Sequence, residues 1–188
     1  MRYDLFPTPV WHIEGAPLEL IDELYQGAYR FKEKQPSTTR SNEGGYQTPF
    51  LDWKDFHPQG IEYIQSVVKE TLVKENSTDG PLEVITLPPN VDFKIESWWY
   101  NINSQSHWNV PHTHPTADFA LVLYLTDSDG LLTLLDPYAY RGIYPQIKNM
   151  NAKKGDVVIF PADLYHYVKP NQKEEDRISI SMNLNIHI

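Results

Sequence analysis

Apolar positions in the N-terminal half of the chain recur twice at helical spacing. After Pro17, the residues Leu18, Ile21, Leu24, Tyr25, Ala28 and Phe31 share one stripe that runs up to Pro36. A proline suits a first helical turn, where its missing N–H leaves no bond unmade. A second stripe, Ile61, Ile64, Val67, Val68 and Leu72, predicts a helix over about 59–75. Between the two, residues 35–48 hold Ser, Thr, Asn and the Gly44-Gly45 pair and read as loop. Residues 76–90, rich in Pro, Gly and Asp, close the helical part.

From Val91 onward the period shortens. Runs rich in β-formers occupy 93–103, 119–126, 131–135, 156–160, 165–168 and 177–188, separated by turn residues such as Asp127-Ser128-Asp129-Gly130 and Pro170-Asn171. Helices followed by many short strands predict a mainly β, α+β chain whose strands form a sandwich or small barrel. The expected organisation is one domain over 1–188, with 1–90 as helical support and 91–188 as the β core. The last run alternates: Arg177, Ser179, Ser181 and Asn183 point one way, while Ile178, Ile180, Met182 and Leu184 point the other. Periodicity alone favours water for the polar face. The other reading puts the polar face inside a barrel and the apolar face beneath the two helices.

Composition narrows the function classes. The 188 residues contain no cysteine, which excludes disulfide scaffolds, zinc–thiolate sites, iron–sulfur clusters and cysteine nucleophiles. A formal net charge of −9 argues against a nucleic-acid backbone as partner, since phosphate binding needs a basic footprint. No stretch approaches the roughly 18 apolar residues of a membrane span. Residues 1–7 lack the apolar run of a signal peptide, so a cytoplasmic location is expected. Twelve Tyr, five Trp and seven His hint at a polar, aromatic pocket.

Chemistry concentrates in three places. In Pro111-His112-Thr113-His114-Pro115 the two histidines sit at i and i+2, and on an extended backbone both imidazoles project from one face. Two prolines keep that segment out of a helix. Farther on, Gly155-Asp156 turns into a β run that ends at Pro161, and His166 follows on the next strand. Alone, the pair reads as two surface histidines and His166 as a packing residue; together the three read as a metal site. Arg177 follows a loop, 169–176, long enough for chain reversal, so it and His166 can lie on adjacent antiparallel strands. It reads either as a surface partner of Glu174, Glu175 or Asp176, or as a buried cation awaiting an anion.

His112-x-His114, Gly155-Asp156 with Phe160-Pro161 and His166, and Arg177-x-Ser179 together resemble the Fe(II)- and 2-oxoglutarate-dependent oxygenases. The chain is most similar to a small family of these enzymes. That family has a Ser-Trp segment (here Ser97-Trp98), the Pro-His-x-His-Pro motif, an Asp-Pro pair (Asp136-Pro137) and a terminal strand matching Arg177–Asn183. The resemblance covers about 91–188 and implies a double-stranded β-helix, or jelly-roll, with the helices packed on one sheet. It implies that His112, His114 and His166 hold Fe(II), and that Arg177, helped by Ser179, binds the distal carboxylate of 2-oxoglutarate. Tyr124 and Asn101 would line the co-substrate pocket. Molecular oxygen would be the oxidant, a small molecule or peptide would be hydroxylated, and succinate and CO2 would be released.

The middle ligand departs from the family's usual carboxylate, since His114 stands where Asp or Glu is common. A neutral ligand leaves the metal one unit more positive, favouring a dianionic co-substrate over retention of the bare ion. Asp118 and Asp163 are the nearby carboxylates that could take its place. Two other readings stay open: a cupin-like three-histidine dioxygenase that does not use 2-oxoglutarate, and a non-catalytic jelly-roll binding module. The loops 35–48 and 136–151 are candidates for a lid or specificity wall. Assembly as a homodimer is compatible with the sequence and not required by it.

Overall fold

The computed structural model describes residues 8–74, 92–129, 131–137 and 147–187. The expectations for 76–90, for most of the loop 136–151, for Gly130 and for the chain's first residues therefore lie outside the described residues. Helix α1 spans Leu18–Lys34, with Pro17 at its N-cap, Glu19 in the first turn and Lys32 and Lys34 in the last, all suited to the helix dipole. It buries Leu20, Ile21, Leu24, Gly27 and Ala28. Helix α2 spans Pro58–Val68, with proline in its first turn, and passes into a π-helical segment over Lys69–Lys74. The second predicted helix thus loses its α winding at Lys69.

The strands are β1 (Trp11–Ile13), β2 (Asn42–Glu43), β3 (Tyr46–Gln47), β4 (Asp92–Asn103), β5 (Trp108–His112), β6 (Phe119–Tyr124), β7 (Leu132–Leu135), β8 (Ile147–Met150), β9 (Val157–Pro161), β10 (His166–Val168) and β11 (Arg177–His187). They form two antiparallel sheets, a six-stranded one ordered β1-β9-β6-β11-β4-β3 and a five-stranded one ordered β2-β5-β10-β7-β8. This is the expected mainly β, jelly-roll architecture. All six predicted β runs appear, trimmed or shifted by a residue or two at some ends. Five strands, β1, β2, β3, β5 and β8, had no counterpart among the predicted runs; β2 and β3 are two residues long, and β5 contains Pro111. The loop reading of 35–48 is corrected there. Its Gly44-Gly45 turn joins β2, at the edge of one sheet, to β3, at the edge of the other. Gly44 has φ +74°, and a Cβ at Gly45 would run into Asn103 Oδ1, so both glycines are needed for the chain to cross here.

Strand β11 settles which face is which. Ile178, Ile180, Met182 and Leu184 are buried in one cluster with Leu20, Ile21 and Leu24 of α1 and Ile64 of α2. The polar alternates face the smaller sheet. The solvent reading fails because the large sheet has helices on one side and the second sheet on the other, leaving neither face in water. Adjacent tryptophans divide the same way. Trp98 enters the cluster under the helices, against Phe31, Phe56 and Tyr100, and its indole N–H donates to Asp52 O at 2.8 Å. Trp99 turns inward beside His114. No helix among the described residues is long and apolar enough to cross a membrane.

Candidate metal centre and its inner chamber

His112 ends β5 and His166 begins β10, and the two are direct cross-strand neighbours. His114 follows two residues after His112, its backbone N–H held by Ala162 O at 2.8 Å. One ring nitrogen from each of the three lies within 4.8 Å of the others, and ring centres are 4.3–5.3 Å apart. Each Nδ1 is already committed. In His112 it meets Val110 O at 2.7 Å, in His166 Leu164 O at 2.9 Å, and in His114 Asn183 Oδ1 at 2.7 Å. Those oxygens accept, so Nδ1 carries the proton and Nε2 is left with a free lone pair in each ring. The prolines around His112 and His114 and the short β10 keep the backbone extended where these contacts form.

Burial keeps the rings neutral. His166 is only 4% exposed, and burial with the neighbouring His112 pushes it down to about 3. His112 and His114 are also lowered, chiefly by burial. Three neutral imidazoles with converging lone pairs suit a first-row divalent metal. Asp118 and Asp163 do not join them. Asp118 Oδ2 accepts the Ile186 backbone N–H at 2.7 Å, and Asp163 is exposed.

Below the triad, β4, β11 and β6 present polar rungs to a chamber between the sheets. Asn101, Ser179 and Tyr124 occupy one rung, and Asn103 and Arg177 the next. All five line the chamber, together with His112, His114, His166, Ser181 and apolar Val122, Leu132, Phe160 and Val168. Asn101 Nδ2 donates to Ser181 Oγ at 3.0 Å. Every sequence-predicted site residue therefore borders one space, but Arg177 and His166 reach it from facing sheets rather than from the adjacent strands expected, since β11 pairs with β4 and β6 and β10 with β5 and β7. Ser181 and Asn183 complete the inner face of β11, and their alternation with Arg177 was the signal that marked them. Trp99, Asn103 and Asn109 had no such signal.

Arg177 is 5% exposed. Its Nη1 donates to Lys169 O at 3.1 Å, while Nη2 is buried without a hydrogen-bond partner. Among the described residues no carboxylate pairs with it. Asp176 is taken by Tyr29 Oη at 2.9 Å and Ser104 Oγ at 2.6 Å. Burial lowers Arg177 to about 10, which still leaves it cationic at neutral pH, and burial raises the Tyr124 phenol against that cation's pull. A buried, incompletely bonded guanidinium in a closed polar chamber is a receptor for a carboxylate.

The Gly155-Asp156 motif has a different task. Gly155 has φ +89°, and Asp156 Oδ2 accepts the Lys153 N–H at 2.8 Å and contacts His12 Nε2 at 2.7 Å. It closes the turn that launches β9 and ties β1 to it.

Residues 97–183 match the family model described as "Putative 2OG-Fe(II) oxygenase". No curated protein matches the chain. Among solved structures it resembles a Pseudomonas putida prolyl-4-hydroxylase, at 16% identity over 95% of this chain and 92% of that one, with a TM-score of 0.62. It also resembles HygX from Streptomyces hygroscopicus with nickel and 2-oxoglutarate bound, at 11% identity over 95% and 83%, with a TM-score of 0.61. A viral collagen prolyl hydroxylase from Paramecium bursaria Chlorella virus-1, in complex with 2-oxoglutarate, matches at 15% identity over 95% and 96%, with a TM-score of 0.60.

Proposed function

We propose that the chain is a 2OG-Fe(II) oxygenase, an Fe(II)- and 2-oxoglutarate-dependent dioxygenase that hydroxylates a small-molecule or peptide substrate; the match of residues 97–183 to that family's model and the shared fold support this reading. The observation that carries this reading is the pairing of three converging imidazoles with the orphaned Nη2 of Arg177 in one chamber. HygX and the viral hydroxylase hold 2-oxoglutarate in the same fold. In this reading Fe(II) is held by Nε2 of His112, His114 and His166, and the metal with its co-substrate supplies the oxidation 2-oxoglutarate + O2 + R–H → succinate + CO2 + R–OH.

The chain's own residues do the positioning. Asn183 fixes the His114 ring through Nδ1 and is itself braced by donating to Ser97 Oγ at 3.2 Å. Backbone carbonyls fix the other two rings. Arg177 offers its free N–H groups to the distal carboxylate, with the Ser179 hydroxyl on the adjoining rung. Val122, Leu132, Phe160 and Val168 wall the chamber with apolar surface and keep bulk water from it.

A three-histidine dioxygenase without 2-oxoglutarate would have no use for a buried cation that lacks a partner. A binding module would have no use for three lone pairs aimed at one point. The test is succinate release from 2-oxoglutarate by Fe(II)-loaded protein in air, compared with His166→Ala and Arg177→Met. Turnover by the wild type, lost in both variants, is expected. Metal-dependent oxygen consumption without succinate would overturn the reading.

A further inference from the structure

Above the triad lies a second, open cavity of about 460 Å³. It shares Ser41, Trp99, His112 and His114 with the inner chamber, so the histidines stand in the wall between the two. One side of it is a ladder of neighbouring planar groups, its ring pairs tilted at 33–40°. The Arg40 guanidinium carbon lies 4.0 Å over the Phe50 ring centre, Phe50 lies 4.8 Å from Trp99, and Trp99 lies 5.6 Å from His114. Phe50 is 43% exposed, unusual for a phenylalanine held between two planar groups. Arg40 has no carboxylate partner among the described residues, although the chain carries a formal net charge of −9. Gln47, only 2% exposed, lines the same cavity, and its buried Oε1 accepts no hydrogen bond.

Each feature asks for a complementary group. An exposed guanidinium centred over an aromatic ring can still offer N–H groups to an anion. The Phe50 and Trp99 faces take a flat or apolar body. A buried carbonyl oxygen without a donor is costly unless the ligand brings an N–H. The order along the ladder fixes the orientation: anion outermost at Arg40, body against Phe50 and Trp99, far end at His112 and His114.

We propose that this outer cavity is the substrate site and that it selects carboxylates with a flat or apolar body and an N–H donor, the chemistry of an N-acylated aromatic amino acid. The carboxylate pairs with Arg40, the amide N–H donates to Gln47 Oε1, and the body reaches toward the metal centre. The assignment as substrate site rests on the oxygenase reading, whereas the selectivity for ligands does not.

The test is titration calorimetry on the full chain, without metal or 2-oxoglutarate, using N-acetyl-L-phenylalanine and its uncharged amide, N-acetyl-L-phenylalaninamide. The acid is expected to bind at least tenfold more tightly than the amide. Arg40→Gln should erase that difference, Arg40→Lys should keep part of it, and Phe50→Ala should weaken both ligands together. Gln47→Leu should weaken both without changing their ratio. Equal binding of acid and amide, or no binding of either, would overturn the proposal. So would a preference that survives Arg40→Gln and disappears in Arg177→Met, because the acid would then sit in the inner chamber. Because neither metal nor co-substrate is present, failure of succinate release would leave the acid-to-amide ratio untouched, and the two readings fail separately.

Discussion

The two faces of the six-stranded sheet come from alternate residues of the same strands, yet different requirements shape them. On the helix side, Ile178, Ile180, Met182, Trp98, Tyr100 and Ile102 bury apolar surface in one cluster with the helices. On the chamber side, their immediate neighbours Arg177, Ser179, Ser181, Asn101 and Asn103 are polar, and two of them keep buried atoms, Arg177 Nη2 and Asn103 Oδ1, without partners. An unmade bond in the interior costs about 1–3 kcal/mol. The outer face therefore holds the fold together, and the inner face sits in a state that a ligand would relieve.

Substitutions on either side should separate the two roles. The largest effect expected is on the outer face: Ile180→Ala should lower unfolding free energy by about 2–5 kcal/mol, measured by urea denaturation, with the 2-oxoglutarate affinity of the folded protein unchanged. Arg177→Met is the inverse case. Removing two charge-assisted hydrogen bonds should weaken 2-oxoglutarate about a hundredfold, roughly 3 kcal/mol. The ligand-free protein should melt at the same temperature or higher, because a buried cation with an unmatched donor is gone. A large drop in melting temperature would show that Arg177 is structural. Asn183→Ala frees the His114 ring, and metal affinity should fall by about 10–100-fold in a competition titration while secondary structure is retained. Ser179→Ala is the mildest, with an expected loss of about 1 kcal/mol in 2-oxoglutarate binding by calorimetry.

The same contrast explains what could be read from the chain. The long strands β4 and β11 were legible because they run for many residues and, in β11, alternate in a clear period of two. That period could not say which side met water. The answer depended on a second sheet whose strands β2, β5 and β8 are two to five residues long and were not predicted. The triad and Arg177 were legible because histidine pairs at i and i+2 and a lone cation on the polar face of an alternating strand are chemically conspicuous. Trp99 was not, since Trp98-Trp99 looks the same from either face. Arg40 and Gln47 lay in a segment read as loop, with Phe50 just beyond it, and only the crossing at Gly44-Gly45 brings Gln47 to the site.

The most direct measurement is an anaerobic titration of 2-oxoglutarate into Fe(II)-loaded protein, followed by visible absorbance. A 2-oxo acid chelating Fe(II) through its keto and carboxylate oxygens gives a weak charge-transfer band. The band is expected to grow to one equivalent in the wild type, to need about a hundredfold more 2-oxoglutarate in Arg177→Met, and to be absent in His166→Ala. Iron bound at one equivalent with no band at saturating 2-oxoglutarate would contradict the shared chamber of triad and arginine as a co-substrate site.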